Sequence, residues 1–347
     1  MRKGCTALLI LLLVWVTACS SPAPSGSNGS ATNTPGGSAN PTPAPAPQGN
    51  GGAAGQKLVV GTSVPSLEFT FFVAAQKSWQ ETAKELGVEA PFYNAENNQA
   101  KQNRDVEDMI VKKVNAIVLI PITTEGVTPA IKAANEAGIP VFTVDRSVTS
   151  KDAKVVAHIG TNHEDMGENA AKLFLKGLEE KYPNEQIWNV AELQGTPGSS
   201  AAIERGKGIH NILEKNPRVN IVASLNGEFQ STTAMRAAEN ILTANKNLHG
   251  FISHNDMMIE GAWQAAKAAN RDTQLIMVGM DGQKSTVEKI KSGEIYGSAL
   301  QYPSMLGDGL KTAVKHLNQE KVDPQVWVPT DLIDKTNADE MLKTKAW

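Results

Sequence analysis

From Lys57 onward, short apolar runs rich in Val and Ile alternate with longer stretches of helical periodicity. This alternation predicts repeated strand-helix-strand units built around parallel sheets. Strand candidates fall at 58–60, 116–120, 141–144, 155–159, 187–193, 220–224, 251–253, 275–278 and 296–300. Their nearly unbroken apolar character implies burial on both faces, the environment of a parallel sheet covered by helices. Between the first two runs, Phe72, Gln76, Trp79, Ala83 and Leu86 fall near one face of a helix. Val106, Met109, Ile110 and Val114 do the same on a second. Gly87 and Gly138 stand where a left-handed cap would end a helix.

The pattern persists for about 290 residues, more than one core usually spans, and so predicts two lobes. Helix-linked strands continue across 159–162 without a linker-like stretch, which suggests lobes joined by several short crossings. Before Lys57 the pattern changes. Met1-Arg2-Lys3, an apolar run at 7–16 and Thr17-Ala18-Cys19 have the three-part form of a secretory signal. The apolar run is about half the length a helix needs to cross a ~30 Å hydrocarbon core. The small residues before Cys19 resemble the lipobox of bacterial lipoproteins, in which the cysteine is acylated and becomes the first residue. Residues 20–56 carry no charge, aromatic ring or large aliphatic side chain, so they are expected to form a disordered tether. A chain of that length spans roughly 30 to 36 Å.

Composition narrows the function. Of the two cysteines, Cys5 lies in the signal and Cys19 at its end, leaving no internal disulfide and no cysteine-ligated metal site. No cofactor and no metal are expected. The net charge is −3 with scattered basic residues, which gives no electrostatic footprint for nucleic acid.

Ligands of open parallel sheets bind beyond the carboxyl ends of the strands. Beyond the first run lies 63–72; beyond the later ones come Asp145-Arg146, Gln194-Gly195 with Arg205, 226–229, Asn255-Asp256, Asp281 and Gln301. Carboxylates, guanidinia, side-chain amides and aromatic rings together suit a neutral polyhydroxylated ligand. Planar forked groups engage adjacent hydroxyls, and flat rings pack on the C–H faces of a sugar. Each polar residue taken alone could equally be a solvated or capping group. Of Phe71 and Phe72, one ring is expected in the core, because adjacent helical positions point about 100° apart.

Several longer stretches together resemble a known family. Thr70-Phe71-Phe72, Ile139-Pro140-Val141 leading to Asp145-Arg146, and Glu192-Leu193-Gln194-Gly195 are similar to the periplasmic sugar-binding proteins of the ribose-binding type. So are Ser200 through Gly206, His254-Asn255-Asp256-Met257-Met258, Val278-Gly279-Met280-Asp281-Gly282 and Gln301-Tyr302-Pro303, with some features closer to the galactofuranose-binding protein. The resemblance implies the type I periplasmic binding protein fold, two doubly wound α/β lobes joined by a three-crossing hinge. It divides the chain into a signal at 1–18, a tether at 19–56, an amino-side lobe of 57–160 plus about 302–330, and a carboxyl-side lobe of 161–301 plus about 331–347. It implies a monosaccharide held by Phe71, Phe72, Asp145, Arg146, Arg205, Phe229, Asn255, Asp281 and Gln301, with no catalytic residue. The partners implied are an ABC permease with its ATPase subunits and the membrane, through a lipid on Cys19, for a monomeric receptor. Two departures stand out: Glu68-Phe69 occupy the place of two asparagines common in ribose binders, and Met280 replaces an aromatic before Asp281.

Three rival readings differ in what they require. An exported enzyme could draw on Ser63, Asp145, His158, His163 and His254, yet no nucleophile elbow, phosphate loop or dinucleotide fingerprint is present. The histidine pairs at 158/163 and 249/254 do not match zinc-binding spacings. A sugar-responsive repressor would need a DNA-binding helix-turn-helix before the first strand, where the signal and tether stand. A sensor presenting bound sugar to a chemoreceptor or sensor kinase is compatible with transport.

Overall fold

The computed structural model describes residues 57–347. The expected signal, Cys19 and the tether lie outside the described residues. Strands β1 (Val60–Val64), β2 (Phe92–Asn94), β3 (Ala116–Leu119), β4 (Val141–Val144) and β5 (Ala157–Gly160) form most of a first sheet. A second contains β6 (Trp188–Gln194), β7 (Val219–Asn226), β8 (Leu248–Ser253), β9 (Ile276–Asp281) and β10 (Gly297–Leu300). Two short strands complete them: β11 (Gln325–Trp327) pairs parallel with β5, and β12 (Leu332–Asp334) pairs antiparallel with β10. The six-stranded orders are β11-β5-β4-β3-β1-β2 and β12-β10-β9-β8-β6-β7.

Three helices connect strands of the first sheet or lead to them: α1 (Thr70–Leu86), α2 (Gln99–Val111) and α3 (Thr128–Glu136). In the second half come α4 (His163–Lys181), α5 (Ser200–Leu213), α6 (Ser231–Ala244), α7 (Asp256–Ala268) and α8 (Lys284–Ser292). The last two are α9 (Met305–Leu317), which returns to pack on α1 and β3 to β5, and α10 (Ala338–Thr344), which packs on α8. The chain therefore passes between the sheets three times, after β5, after β10 and after β11. The result is two α/β lobes with parallel-dominated sheets.

Local chemistry explains most boundaries. Gly87 ends α1 in the left-handed region at φ 67°, where its amide reaches back to the last helical carbonyls. Asn98 caps α2 by accepting from Lys101 N, and Asn162 caps α4 by accepting from Glu164 N and Asp165 N. The first strand differs from expectation: it runs beyond the apolar 58–60 through Thr62 and Ser63 to Val64. Both polar residues are fully buried, and Ser63 Oγ donates to Asp105 Oδ2 at 2.9 Å, so a tertiary partner rather than hydropathy extends the strand. The apolar pattern also omits β2, β11 and β12. Each has three residues at a sheet edge, too short to leave a periodic signature. Val114 lies past the end of α2 but is still buried.

The cores hold large side chains whose polar ends are satisfied. Trp79 and Trp188 are buried, and their indole N–H groups donate to Ala90 O and Tyr182 O at 3.0 and 3.1 Å. Helices α4 and α5 approach so closely that a Cβ at Gly167 would lie 2.3 Å from Arg205 O, and one at Gly208 2.1 Å from Glu164 O. The two glycines thus let the α4 and α5 backbones pack directly against each other. Gly208→Ala in an exposed helix would gain about 1 kcal/mol from propensity. Here the added methyl meets backbone, so the free energy of unfolding in urea should instead fall by about 1 to 3 kcal/mol. A measured increase would show that the two helices are not held at this distance.

Candidate ligand-binding site

The carboxyl ends of the two sheets face one another, and the connections leaving them meet in a cleft. Phe71 and Phe72 come from the first turn of α1 after β1, and Asp145-Arg146 follow β4. From the other side come Arg205 on α5, Phe229 between β7 and α6, Asn255 capping α7, and Asp281 ending β9. Gln301 follows β10 at a crossing between the sheets. All nine of these sequence-selected residues line one small cavity of roughly 30 Å³, together with Phe69 and Ala201. That volume is well below the ~300 to 1,000 Å³ typical of small-molecule sites, because the polar groups that line it contact one another.

The phenylalanine pair corrects one expectation. Both rings are buried members of the core, and both also line the cavity, so the pair does not divide into one core ring and one ligand-facing ring. They meet edge to face with centroids 5.4 Å apart, while Phe69 supports Phe72 at 5.9 Å and Trp347 supports Phe71 at 5.5 Å. Phe69, Ala201 and Trp347 were not selected from the sequence. Phe69 was visible only as an unusual residue before the pair. No local signal marks Trp347, whose indole N–H donates to Asp281 O and Gln301 O, both at 2.9 Å. Met280 belongs to the core of the second sheet, since strand alternation turns it away from Asp281. Glu68 sits at the rim, 3.5 Å from Gln230 Nε2.

The polar groups of the closed cleft bind one another. Gln301 Nε2 donates to Asp145 Oδ1 at 2.5 Å, and its carbonyl accepts from Arg205 Nη2. Arg205 Nη1 also donates to His254 O and approaches Asp281 Oδ1 at 3.4 Å. Asn255 Nδ2 donates to Phe229 O at 3.2 Å while its oxygen accepts from Met258 N. Arg146 lies 5.5 Å from the Phe72 ring and 5.3 Å from that of Phe229, and its Nε is buried without a hydrogen-bond partner. Closure is fastened at the rims, where Thr124 N donates to Gly198 O and Ser147 N to Ser200 Oγ, both at 2.9 Å. On another side Thr70 Oγ1 donates to Gln283 Oε1 at 2.7 Å.

Behind these residues lies a supporting layer. His254 Nδ1 accepts from Gly195 N at 3.2 Å, so the proton on Nε2 points at Glu192 Oε1, 2.9 Å away. The Asp256 carboxylate accepts from Gly282 N and Gln283 N at 2.8 and 2.9 Å and from Ser298 Oγ at 2.7 Å, which fixes the turn after Asp281. Three lining residues hold positive φ: Asp145 and Phe229 at 60°, and Asp281 at 129°. Such backbone persists only where surrounding contacts over-determine it.

Burial opposes ionisation of Asp145, but His163, Arg146 and Arg205 outweigh it and hold the carboxyl at about 2. Burial lowers Arg146 to about 10, against the pull of Asp145, leaving it charged at neutral pH. Asp281 is pushed well above the usual carboxylate range by burial, with Asp256 and Asp145 adding repulsion against the attraction of Arg205. Because the folded pKa of Asp145 is depressed, its stabilisation is complete above the unfolded carboxylate value and is lost as pH falls towards about 2. Asp145→Asn keeps a side chain that tolerates positive φ and should lower the unfolding free energy by about 2 kcal/mol at neutral pH. In urea titrations across the acid limb, that difference should shrink between the unfolded carboxylate pKa and the folded one. A gap that stays constant through this range would remove Asp145 as the source of the charge effect.

The comparisons agree with this geometry. A family model described as a periplasmic binding protein domain matches residues 60–321. The chain is 31% identical over 278 residues to the ribose import binding protein of Bacillus subtilis, covering 80% of this chain and 87% of that protein. It is 32% identical over 270 residues to the ribose import binding protein of Escherichia coli, covering 78% and 87%. Among solved structures, a galactofuranose binding protein superposes with a TM-score of 0.79 at 26% identity, covering 83% of this chain and 98% of that one. A Mycobacterium smegmatis structure in complex with β-D-fucofuranose gives a TM-score of 0.79 at 25% identity, with 83% and 95% covered. Members of this family bind solutes and are not enzymes. With its matched domain, its two parallel-sheet lobes and its cavity between them, the chain belongs to the type I periplasmic sugar-binding proteins.

Proposed function

We propose that this chain is the extracytoplasmic receptor of an ABC importer, capturing a pentose or hexose between its lobes and delivering it to a permease with ATPase subunits. The observation that carries the reading is the cavity lined by six planar polar side chains, Asp145, Arg146, Arg205, Asn255, Asp281 and Gln301, and by Phe69, Phe71, Phe72 and Phe229. Ring hydroxyls are both donors and acceptors, so they can replace the contacts these side chains make with each other. Aromatic faces take the C–H surfaces. The lobes are assigned as 57–160 plus about 302–330 and 161–301 plus about 331–347, supported by the placement of β11 and β12 on opposite sheets.

Capture without chemistry is energetically sufficient. Micromolar binding requires about −8 kcal/mol, within reach of a ligand of ten to twelve heavy atoms at roughly 0.3 to 1.5 kcal/mol per atom. A ligand touching both lobes stabilises the closed form by its differential affinity, and a permease can distinguish that form.

Isothermal titration of the purified protein against D-ribose, D-galactose, L-arabinose, D-xylose, D-fructose and myo-inositol tests the reading. At least one should bind, and Phe229→Ala should weaken it by roughly 1 to 3 kcal/mol through loss of a buried ring face. Binding of none of them, or unchanged binding in a folded Phe229→Ala protein, would count against this assignment.

The anchor is a separate part of the proposal, supported by the apolar run and Thr17-Ala18 before Cys19. Multiple acyl chains, each gaining ~0.8 kcal/mol per buried methylene, would hold the receptor at the membrane. Cys19→Ser should leave the protein released or unprocessed when cells are fractionated with detergent. Recovery of the variant as a processed detergent-phase lipoprotein would overturn Cys19 as the acylated residue.

A further inference from the structure

We infer that His163, which does not line the cavity, is a positioning residue that joins Asp145 to Arg205 as a neutral imidazole with its proton on Nε2. The inference rests on the sugar-binding reading and adds to it a residue that couples two of its contacts. His163 is the first residue of α4, directly after the crossing from β5, and is only 1% exposed. Its Nε2 lies 3.0 Å from the Asp145 backbone carbonyl and 3.2 Å from Asp145 Oδ1. Its Nδ1 lies 3.3 Å from Arg205 Nε.

These contacts leave one arrangement of protons. An arginine Nε–H can only donate, so Nδ1 must offer a lone pair. The ring proton then belongs on Nε2, where two oxygens accept it. The other tautomer would turn a lone pair towards both oxygens, and a doubly protonated ring would set Nδ1–H against the Arg205 Nε–H. The ionisable groups around this ring are Asp145, Arg146, Arg205 and His158. His158 is itself lowered to about 4 by burial and is therefore neutral.

The geometry gives the contact two consequences. Donation to Oδ1, shared with Gln301, leaves Asp145 Oδ2 without a hydrogen bond, 4.0 Å from Arg146 Nε and able to accept from a ligand hydroxyl. Capture of Nε aims both terminal nitrogens of Arg205 towards Asp281, Gln301 and the cavity. Asp145 follows the first sheet, whereas Arg205 rides on α5, which packs on α4 over the second. His163 thus holds the two groups in register across the junction of the lobes.

Long-range proton–nitrogen NMR of the purified protein at neutral pH should show one ring, absent from His163→Gln, with Nε2 protonated and Nδ1 free. A proton on Nδ1, or on both nitrogens, overturns the inference. In titrations with the six sugars named above, His163→Leu should weaken binding by roughly tenfold or more. His163→Gln, whose amide can accept from Arg205 and donate to Asp145, should stay within about threefold of wild type. A folded His163→Leu protein that binds as wild type also overturns it, as does a Gln variant no better than Leu. If wild type binds none of the six, the sugar reading fails, and the ring spectrum alone supports or overturns the role of His163.

Discussion

Arg205 is only 3% exposed, and a guanidinium withdrawn from water must find acceptors for its N–H groups. Much of the site follows from meeting that demand. His163, the His254 carbonyl, Asp281 and Gln301 all converge on this one side chain. Each is held in turn: His254 by Glu192, Asp281 through the turn that Asp256 fastens, Gln301 by Asp145. The glycines that bring α4 against α5 fix the stem from which the guanidinium extends. One buried cation therefore organises residues from four separate connections.

This demand also ties most of the polar groups of the cleft to one another. Asp145, Gln301 and Arg205 form a chain across the junction of the lobes, and Arg146 rests between the rings of Phe72 and Phe229. Hydroxyls entering this space would exchange for contacts of similar kind, so binding need not leave a buried group unsatisfied. The free energy gained then depends on how many contacts improve and how much C–H surface meets the aromatic rings. Positive φ at Asp145, Phe229 and Asp281 places three such side chains at angles that ordinary strand or helix backbone would not give.

The rims play a different part from the cavity. Thr124 with Gly198, Ser147 with Ser200, and Thr70 with Gln283 join the lobes through groups that do not line the pocket, apart from the neighbouring residues they flank. Their hydrogen bonds contribute to closure whatever the ligand is, and a ligand adds its differential affinity to that bias.

The sequence by itself determined the α/β class and the order of its long elements, because buried parallel strands must be apolar on both faces and their helices amphipathic. It also placed polar and aromatic candidates in the segments that follow the strands, and the family resemblance narrowed them to nine. Only the tertiary structure decided the rest. β1 extends through Thr62 and Ser63 because pairing with β3 and the Ser63–Asp105 hydrogen bond replace hydropathy there, and the three-residue edge strands exist only through pairing with distant neighbours. Both Phe71 and Phe72 line the cavity while buried in the core, a matter of helix placement rather than periodicity. Trp347 and His163 act through contacts with residues far along the chain, and the proton position on an imidazole depends on which donors and acceptors surround it in space.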